Sequence, residues 1–344
     1  MQTIKHPKNY KYIHPIFSEF ERLYTALSNN DQTKLSCLFD ADGTFETSLR
    51  PFEDVFNEYG NCEIHLNYSD KNYPKLPMRK YNKKNVIVAF SGGKDSTAVA
   101  LYYKDKGFNV YLYHVHGLNR FFPQEQQSAE QVAEYLNLPM IVEDVNLSGV
   151  SLYPDHPLKN IIIANMALQW GIENNVGAFI TFGDYYTAYL DDVCFETSGD
   201  DCIEMWKIYK PVMKKCIPQF RLEIPLVNVA DTLERLKSDK TLLGLTQSCV
   251  MTHRFKDYHS KRVQDKYNIK LLPNRCGTCW KCALEYIYYT DHGVLDYNRE
   301  YYKYCIQILR RTLKNENGIR IKNERTVWER FMFYSVLESR YFND

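Results

Sequence analysis

The hexapeptide Ser91-Gly92-Gly93-Lys94-Asp95-Ser96 constrains the fold of this chain more than any other segment. An apolar run, Val86-Ile87-Val88-Ala89-Phe90, precedes it and reads as a buried strand. Thr97-Ala98-Val99-Ala100-Leu101-Tyr102-Tyr103 follows and reads as the opening of a helix. A strand, a glycine pair and a helix start, in that order, form an anion cradle. Glycine lets backbone N–H groups approach a polyphosphate closely, and the helix start adds unpaired donors and the positive end of its dipole. Ser91 and Ser96 can add hydroxyl donors, Lys94 a cation, and Asp95 a magnesium ligand or a helix cap. The glycines stand closer together than in the Walker loop GxxxxGK[ST]. A glycine turn of an ordinary α/β protein explains the segment less well, because loop, strand and helix agree in order and spacing.

From this point the pattern alternates. Strands are predicted over 85–90, 109–115, 140–142 and 178–182, with helices over about 95–106, 124–136 and 160–174. Gly107 ends the first helix. Strands separated by helices of this length imply a parallel, doubly wound α/β sheet. Ligands in such sheets sit at the carboxyl ends of strands. The glycine loop, His114 to His116, and Gly183 with Asp184 all fall at such ends, so three loops are expected to converge on one crevice. Ahead of the sheet, Ile13, Phe17, Phe20, Leu23, Tyr24 and Leu27 recur at helical spacing. A polar stretch over 67–77, with Pro74 and Pro77, reads as a linker. The expected organisation is an N-terminal extension over 1–80, a nucleotide domain over 81–248, and a metal module with C-terminal helices over 249–344. Those last helices are predicted at about 299–313 and 326–341.

Composition bounds the partners. The chain has 344 residues and a formal charge of +1, which gives no reason to expect a polyanion-binding surface, so a nucleic-acid partner is not indicated. The first residues are polar, and no apolar stretch reaches the length of a membrane span. A soluble, cytoplasmic protein is the expectation, with room for a homodimer.

In a cytosolic chain of this size, clustered cysteines point to metal rather than to disulfides. Cys276-Gly277-Thr278-Cys279-Trp280-Lys281-Cys282 is a CxxCxxC run, and Cys249 lies 26 intervening residues upstream. Four thiolates close a tetrahedral zinc site, which would be structural. An iron–sulfur cluster is the rival, and Cys216 and Cys305 compete for the place of the fourth ligand.

Ser91 to Ser96 resembles the pyrophosphate loop of the ATP pyrophosphatases (the PP-loop, adenine nucleotide alpha hydrolase, HUP-like fold). Together with the cysteine run it is similar to the 7-cyano-7-deazaguanine synthase family, over about residues 84–290. Pro157-Leu158-Lys159-Asn160 stands where that family has Pro-Gly-Arg-Asn, and Gln247-Ser248-Cys249 with Arg275 to Cys282 resembles its zinc module. Lys94 in place of an apolar residue, Lys159 in place of arginine, Leu118 to Phe122, and an insertion over 250–275 depart from the pattern. The resemblance implies ATP, Mg²⁺ and Zn²⁺, and adenylation of a 7-carboxy-7-deazaguanine-type carboxylate with release of pyrophosphate. Ammonia or another amine would then give an amide, a nitrile or a conjugate. It implies a catalytic role for Ser91, Lys94, Asp95 and Ser96. Nucleotide contacts are expected from Ser91 to Ser96 and His114, and substrate contacts from Arg120, Lys159, Asn160 and Asp184. Cys249, Cys276, Cys279 and Cys282 are the implied metal ligands. A tRNA-thiolating enzyme of the same superfamily, and a non-catalytic nucleotide-binding module, are the alternatives.

Overall fold

The computed structural model describes residues 12–29, 46–47, 49–59, 67–68, 73–116, 125–144, 158–183, 203–225, 229–247, 249 and 253–315. The elements before the glycine loop are α1 (Pro15–Asn29), a two-residue strand β1 (Glu46–Thr47), α2 (Glu53–Tyr59) and β2 (Asn67–Tyr68), which pairs with β1. The sheet domain then runs β3 (Asn85–Ala89), α3 (Lys94–Asp105), β4 (Asn109–His116), α4 (Glu125–Leu136), β5 (Met140–Asp144), α5 (Leu158–Glu173) and β6 (Phe179–Thr181). It continues with α6 (Ile203–Cys216), β7 (Arg221–Glu223), α7 (Val229–Leu236) and α8 (Lys240–Leu245). Three helices follow: α9 (His253–Tyr267), α10 (Trp280–Asp291) and α11 (Arg299–Asn315).

The five-stranded sheet has the order β5-β4-β3-β6-β7, and every pair in it is parallel. The chain order reverses between β3 and β6. A topological switch point therefore opens where these two strands end, the place where doubly wound sheets bind ligands.

Alternation along the strands divides the core. Val86, Val88, Val110, Leu112, Met140 and Val142 face one layer, built on Ala98, Val99 and Tyr103 of α3 and Ala129 and Val132 of α4. Ile87, Tyr113 and Ile141 face the other, built on α5 and α6. Phe17, Phe20 and Leu23 of α1 join this second layer, so the N-terminal helix shares the core of the sheet domain. The proline-bearing stretch reads as a linker by composition, yet residues 73–81 are stitched to the body. His14 Nε2 meets the Pro74 carbonyl at 2.6 Å, Leu76 N–H donates to Cys216 O at 2.9 Å, and Arg79 N–H donates to Gln219 Oε1 at 2.7 Å.

Two elements escape sequence pattern for physical reasons. Helix α6 carries Pro211 in its interior, a residue that normally ends a helix. Strand β7 is three residues long with two of them charged. The expected helix over 326–341 lies outside the described residues. No helix among the described residues is long and apolar enough to cross a membrane.

Candidate active site and metal centre

The glycine loop leaves β3 and enters α3 at the switch point. Gly93 is the N-cap, extended at φ −75° and ψ 166°. Gly92 has φ +72°, and a Cβ there would stand 2.4 Å from Ala129 N of α4, so only glycine lets α4 close over the loop. The two serines brace the turn. Ser91 N–H donates to Ser96 Oγ at 3.3 Å, Gly93 N–H donates to Ser91 Oγ at 3.3 Å, and Ser96 Oγ donates to Gly93 O at 3.3 Å. The first backbone N–H groups of α3 lack acceptors within the helix, as at any helix start.

Lys94 is buried, and its Nζ meets Asp95 Oδ1 at 2.5 Å. In this geometry the ammonium pairs with Asp95 at the first turn of α3. His114 is buried too. Its Nδ1 faces Phe90 O at 2.8 Å, just before the loop, and burial lowers its pKa below the ordinary value. Through Nδ1 it braces the end of the strand that leads into Ser91, and its Nε2 is buried with no hydrogen-bond partner among the described residues.

Gly183, after β6, packs on the start of α3. A Cβ there would lie 2.5 Å from Ser96 N and 2.6 Å from Asp95 C, both backbone atoms that cannot swing aside. Gly183→Ala should therefore cost about 1–3 kcal/mol by overpacking. It should lower the melting temperature and weaken ATP binding together. Unchanged ATP titration would show that Gly183 does not shape the loop.

A second group of charges gathers at the N-terminal ends of α4, α5 and α10. Burial pushes the Glu125 carboxyl up to about 7, a rise tempered first by Lys159 and then by Lys281. Lys159 is half-buried and Asn160 buried. Both were expected from sequence; Lys281, inside the CxxCxxC run, was read only as a spacer. Its proximity to Glu125 exists only once α10 folds against the sheet, and no local pattern signals it. Arg120 and Asp184 lie outside the described residues.

The four cysteines form a closed cage. Their sulfurs all lie within 4.8 Å of one another and all four residues are buried. Separations of 4.0 Å for Cys249–Cys279, 3.8 Å for Cys276–Cys282 and 3.3 Å for Cys279–Cys282 suit one tetrahedral ion with bonds of about 2.3 Å. An iron–sulfur cluster, with several irons between the thiolates, needs a wider cage. Cys276 Sγ accepts the backbone N–H groups of Thr278 and Cys279, each at 3.3 Å, which favours a thiolate. Its pKa is held well below the ordinary thiol value by the neighbouring Cys249, Cys279 and Cys282 thiols. Cys249 takes the fourth place. Cys216 lies in the layer under α6, and Cys305 packs with Tyr301 on α11.

The cage is tied to the glycine loop. Gln247 N–H, two residues before Cys249, donates to Gly92 O at 3.0 Å. Ser128 Oγ of α4 donates to Leu245 O at 2.6 Å. Behind them Arg275, adjacent to Cys276, is fully engaged. Its guanidinium reaches Glu285 Oε2 at 2.5 Å, Thr246 O at 2.5 Å, Thr246 Oγ1 at 3.0 Å and Leu243 O at 3.4 Å.

The fold is thus a parallel, doubly wound α/β sheet with a glycine loop at its switch point, tied to a four-cysteine module. Residues 85–156 match the family model described as queuosine biosynthesis protein QueC. Among curated relatives, 7-cyano-7-deazaguanine synthase of Sulfolobus acidocaldarius is 36% identical over 74 residues, 21% of this chain and 16% of the relative. The Saccharolobus solfataricus synthase is 30% identical over 136 residues, 37% of this chain and 27% of the relative. Synthase 2 of Sulfurisphaera tokodaii is 28% identical over 106 residues, 31% of this chain and 22% of the relative. The chain thus matches about a quarter or less of the length of these relatives. The solved NMN synthetase of Francisella tularensis overlays 67% of this chain and 85% of its own, at TM-score 0.31 and 14% identity, a likeness too slight to bear on function.

Proposed function

We propose that the chain is an ATP-dependent, carbon–nitrogen bond-forming ligase that adenylates a 7-carboxy-7-deazaguanine-type carboxylate. The observation that carries this reading is the glycine loop at the switch point, within the segment that matches the queuosine family model. A carboxylate is a poor electrophile because its leaving group is oxide. Transfer of AMP from ATP converts that oxygen into a good leaving group and releases pyrophosphate. The loop N–H groups and the hydroxyls of Ser91 and Ser96 would bind the departing pyrophosphate, where charge develops. Mg²⁺, when bound at Asp95, would supply further neutralisation of phosphate charge.

Glu125, Lys159 and Lys281 support the acceptor half of the reading. Two ammonium groups suit an anionic carboxylate. A carboxyl with a pKa of about 7 is suited to take a proton from ammonium or another amine and so free the nucleophile. The four-cysteine cage fits Zn²⁺ in a structural role, because all four positions are protein sulfur.

The test is product analysis with Mg²⁺, ATP, ammonium and 7-carboxy-7-deazaguanine. AMP and pyrophosphate should appear, with mass spectrometry showing an amide or nitrile; an adduct on an added amine would mark a conjugating variant. Asp95→Asn, which keeps an oxygen beside the buried Lys94 ammonium, should cut turnover by at least about 100-fold while the protein stays folded. Release of ADP and orthophosphate, or no conversion of the carboxylate, would discard the proposal.

A further inference from the structure

The +1 charge of the whole chain hides a segregation. Residues 253–315 hold 13 Lys and Arg against 6 Asp and Glu, a surplus of seven, so the rest of the chain is acidic. Even a zinc ion held by four thiolates, with a net charge of −2, leaves this module cationic.

Helix α9, which lies within the stretch that departs from the synthase pattern, concentrates the surplus. It carries five Lys and Arg against two Asp. Its inner side is fixed. Val263 is buried, Lys256 is buried with Nζ 3.3 Å from Asn274 Oδ1, and the Tyr267 ring stacks on Tyr304 at 5.4 Å. Its outer side presents Phe255 at 57% exposure and Tyr258 at 62%. Among the described residues Phe255 is the one exposed phenylalanine. Phe255, Tyr258 and Arg262 stand at i, i+3 and i+7, hence on one helical face, which also carries Lys261 and one exposed carboxylate, Asp265, for a net positive charge. Lys261 and Arg262 are exposed, while the Lys266 ammonium lies 4.8 Å over the Tyr267 ring.

Exposed rings beside exposed cations are the chemistry of single-stranded nucleic acid. Unpaired bases offer free π-faces to stack on aromatic side chains, and the phosphates between them pair with Lys and Arg. A duplex hides those faces. An anionic membrane would engage the charges, yet it would favour a broad apolar face rather than two rings a turn apart. The platform is also rigid, since α9 is pinned by its inner face to the metal module, so little ordering is lost on binding.

We propose that the outer face of α9 binds single-stranded nucleic acid through stacking on Phe255 and Tyr258 and phosphate contacts from Lys261 and Arg262. This does not depend on the deazapurine reading. The experiment is fluorescence anisotropy of the full chain with labelled oligo-U and oligo-dT of about 20 nucleotides and with a duplex of equal length. Single strands should bind at low salt, with affinity falling linearly against the logarithm of salt concentration. Comparing oligo-U with oligo-dT tells RNA from DNA. Phe255→Ala/Tyr258→Ala should weaken single-strand binding by about tenfold or more, with a smaller effect on the duplex. Lys261→Glu/Arg262→Glu should weaken both. Melting temperature and metal content, unchanged in each variant, verify folding, and Arg262→Glu alone serves if a double variant melts early. No oligonucleotide binding at low salt, equal binding by all variants, or binding to anionic vesicles alone would overturn the proposal.

Discussion

Cys279→Ser is expected to lower the melting temperature by more than about 10 °C, and a strong chelator should do the same to the unaltered protein. The reason is linkage. A structural zinc site contributes its binding free energy to folding, on the order of 10 kcal/mol in isolated zinc-binding peptides. Part of that is lost here because the unfolded chain also binds metal. Cys279 is close to two partners, 4.0 Å from Cys249 and 3.3 Å from Cys282, so its loss opens the cage on both sides. The effect should reach the nucleotide loop. Cys249 lies two residues after Gln247, whose N–H holds Gly92 O, and Gly92 is where the loop turns. ATP affinity should therefore fall along with stability, although no cysteine touches the phosphate cradle. Elemental analysis should give about one zinc per chain. A visible charge-transfer band would indicate iron instead, and an unchanged melting temperature would remove the metal centre from the account.

What the sequence made legible was local. Strand β3, the glycine loop and α3 are contiguous, and each residue's role follows from its neighbours within a turn or two. The alternation of Val86, Ile87 and Val88 between two core layers is the period-two signal read directly. Long-range choices were not legible. Cys216, Cys249 and Cys305 are alike as letters, and only their places in three different cores separate the ligand from the others. The prolines 74 and 77 read as a linker but carry no sign that His14 and Cys216 would tie that segment to the body. Lys94 reads as a phosphate contact by position, and nothing in the local pattern shows that its ammonium also pairs with Asp95. The charge on α9 was invisible to a whole-chain sum because an acidic remainder cancels it.

Arg275 and Glu285 make the same point energetically, and they carry the second large effect. Ten residues apart in sequence, both are almost wholly buried and meet at 2.5 Å. Arg275→Met should destabilise the protein by about 3–5 kcal/mol, because it leaves the Glu285 carboxylate buried without its counter-charge. It also removes the donors that hold Leu243 O and Thr246 O, one residue before Gln247 meets the glycine loop. Arg275→Lys should fall between the two, since one ammonium cannot span the carboxylate and both carbonyls in the guanidinium's fork. The decisive comparison is the double variant Arg275→Met/Glu285→Met. A buried ion pair is weak evidence of net stability, and replacing both partners with apolar residues is often close to neutral. Thermal or denaturant unfolding should thus show the double variant recovering most of the single variant's loss. ATP titration on the recovered protein should still show weakened binding, because the carbonyls of Leu243 and Thr246 no longer have Arg275 to fix them. If Arg275→Met melts like the unaltered protein, the pair does not anchor the module. If the double variant regains both stability and ATP affinity, the guanidinium's role ends at neutralising Glu285, and the path from metal module to nucleotide loop runs through Gln247 alone.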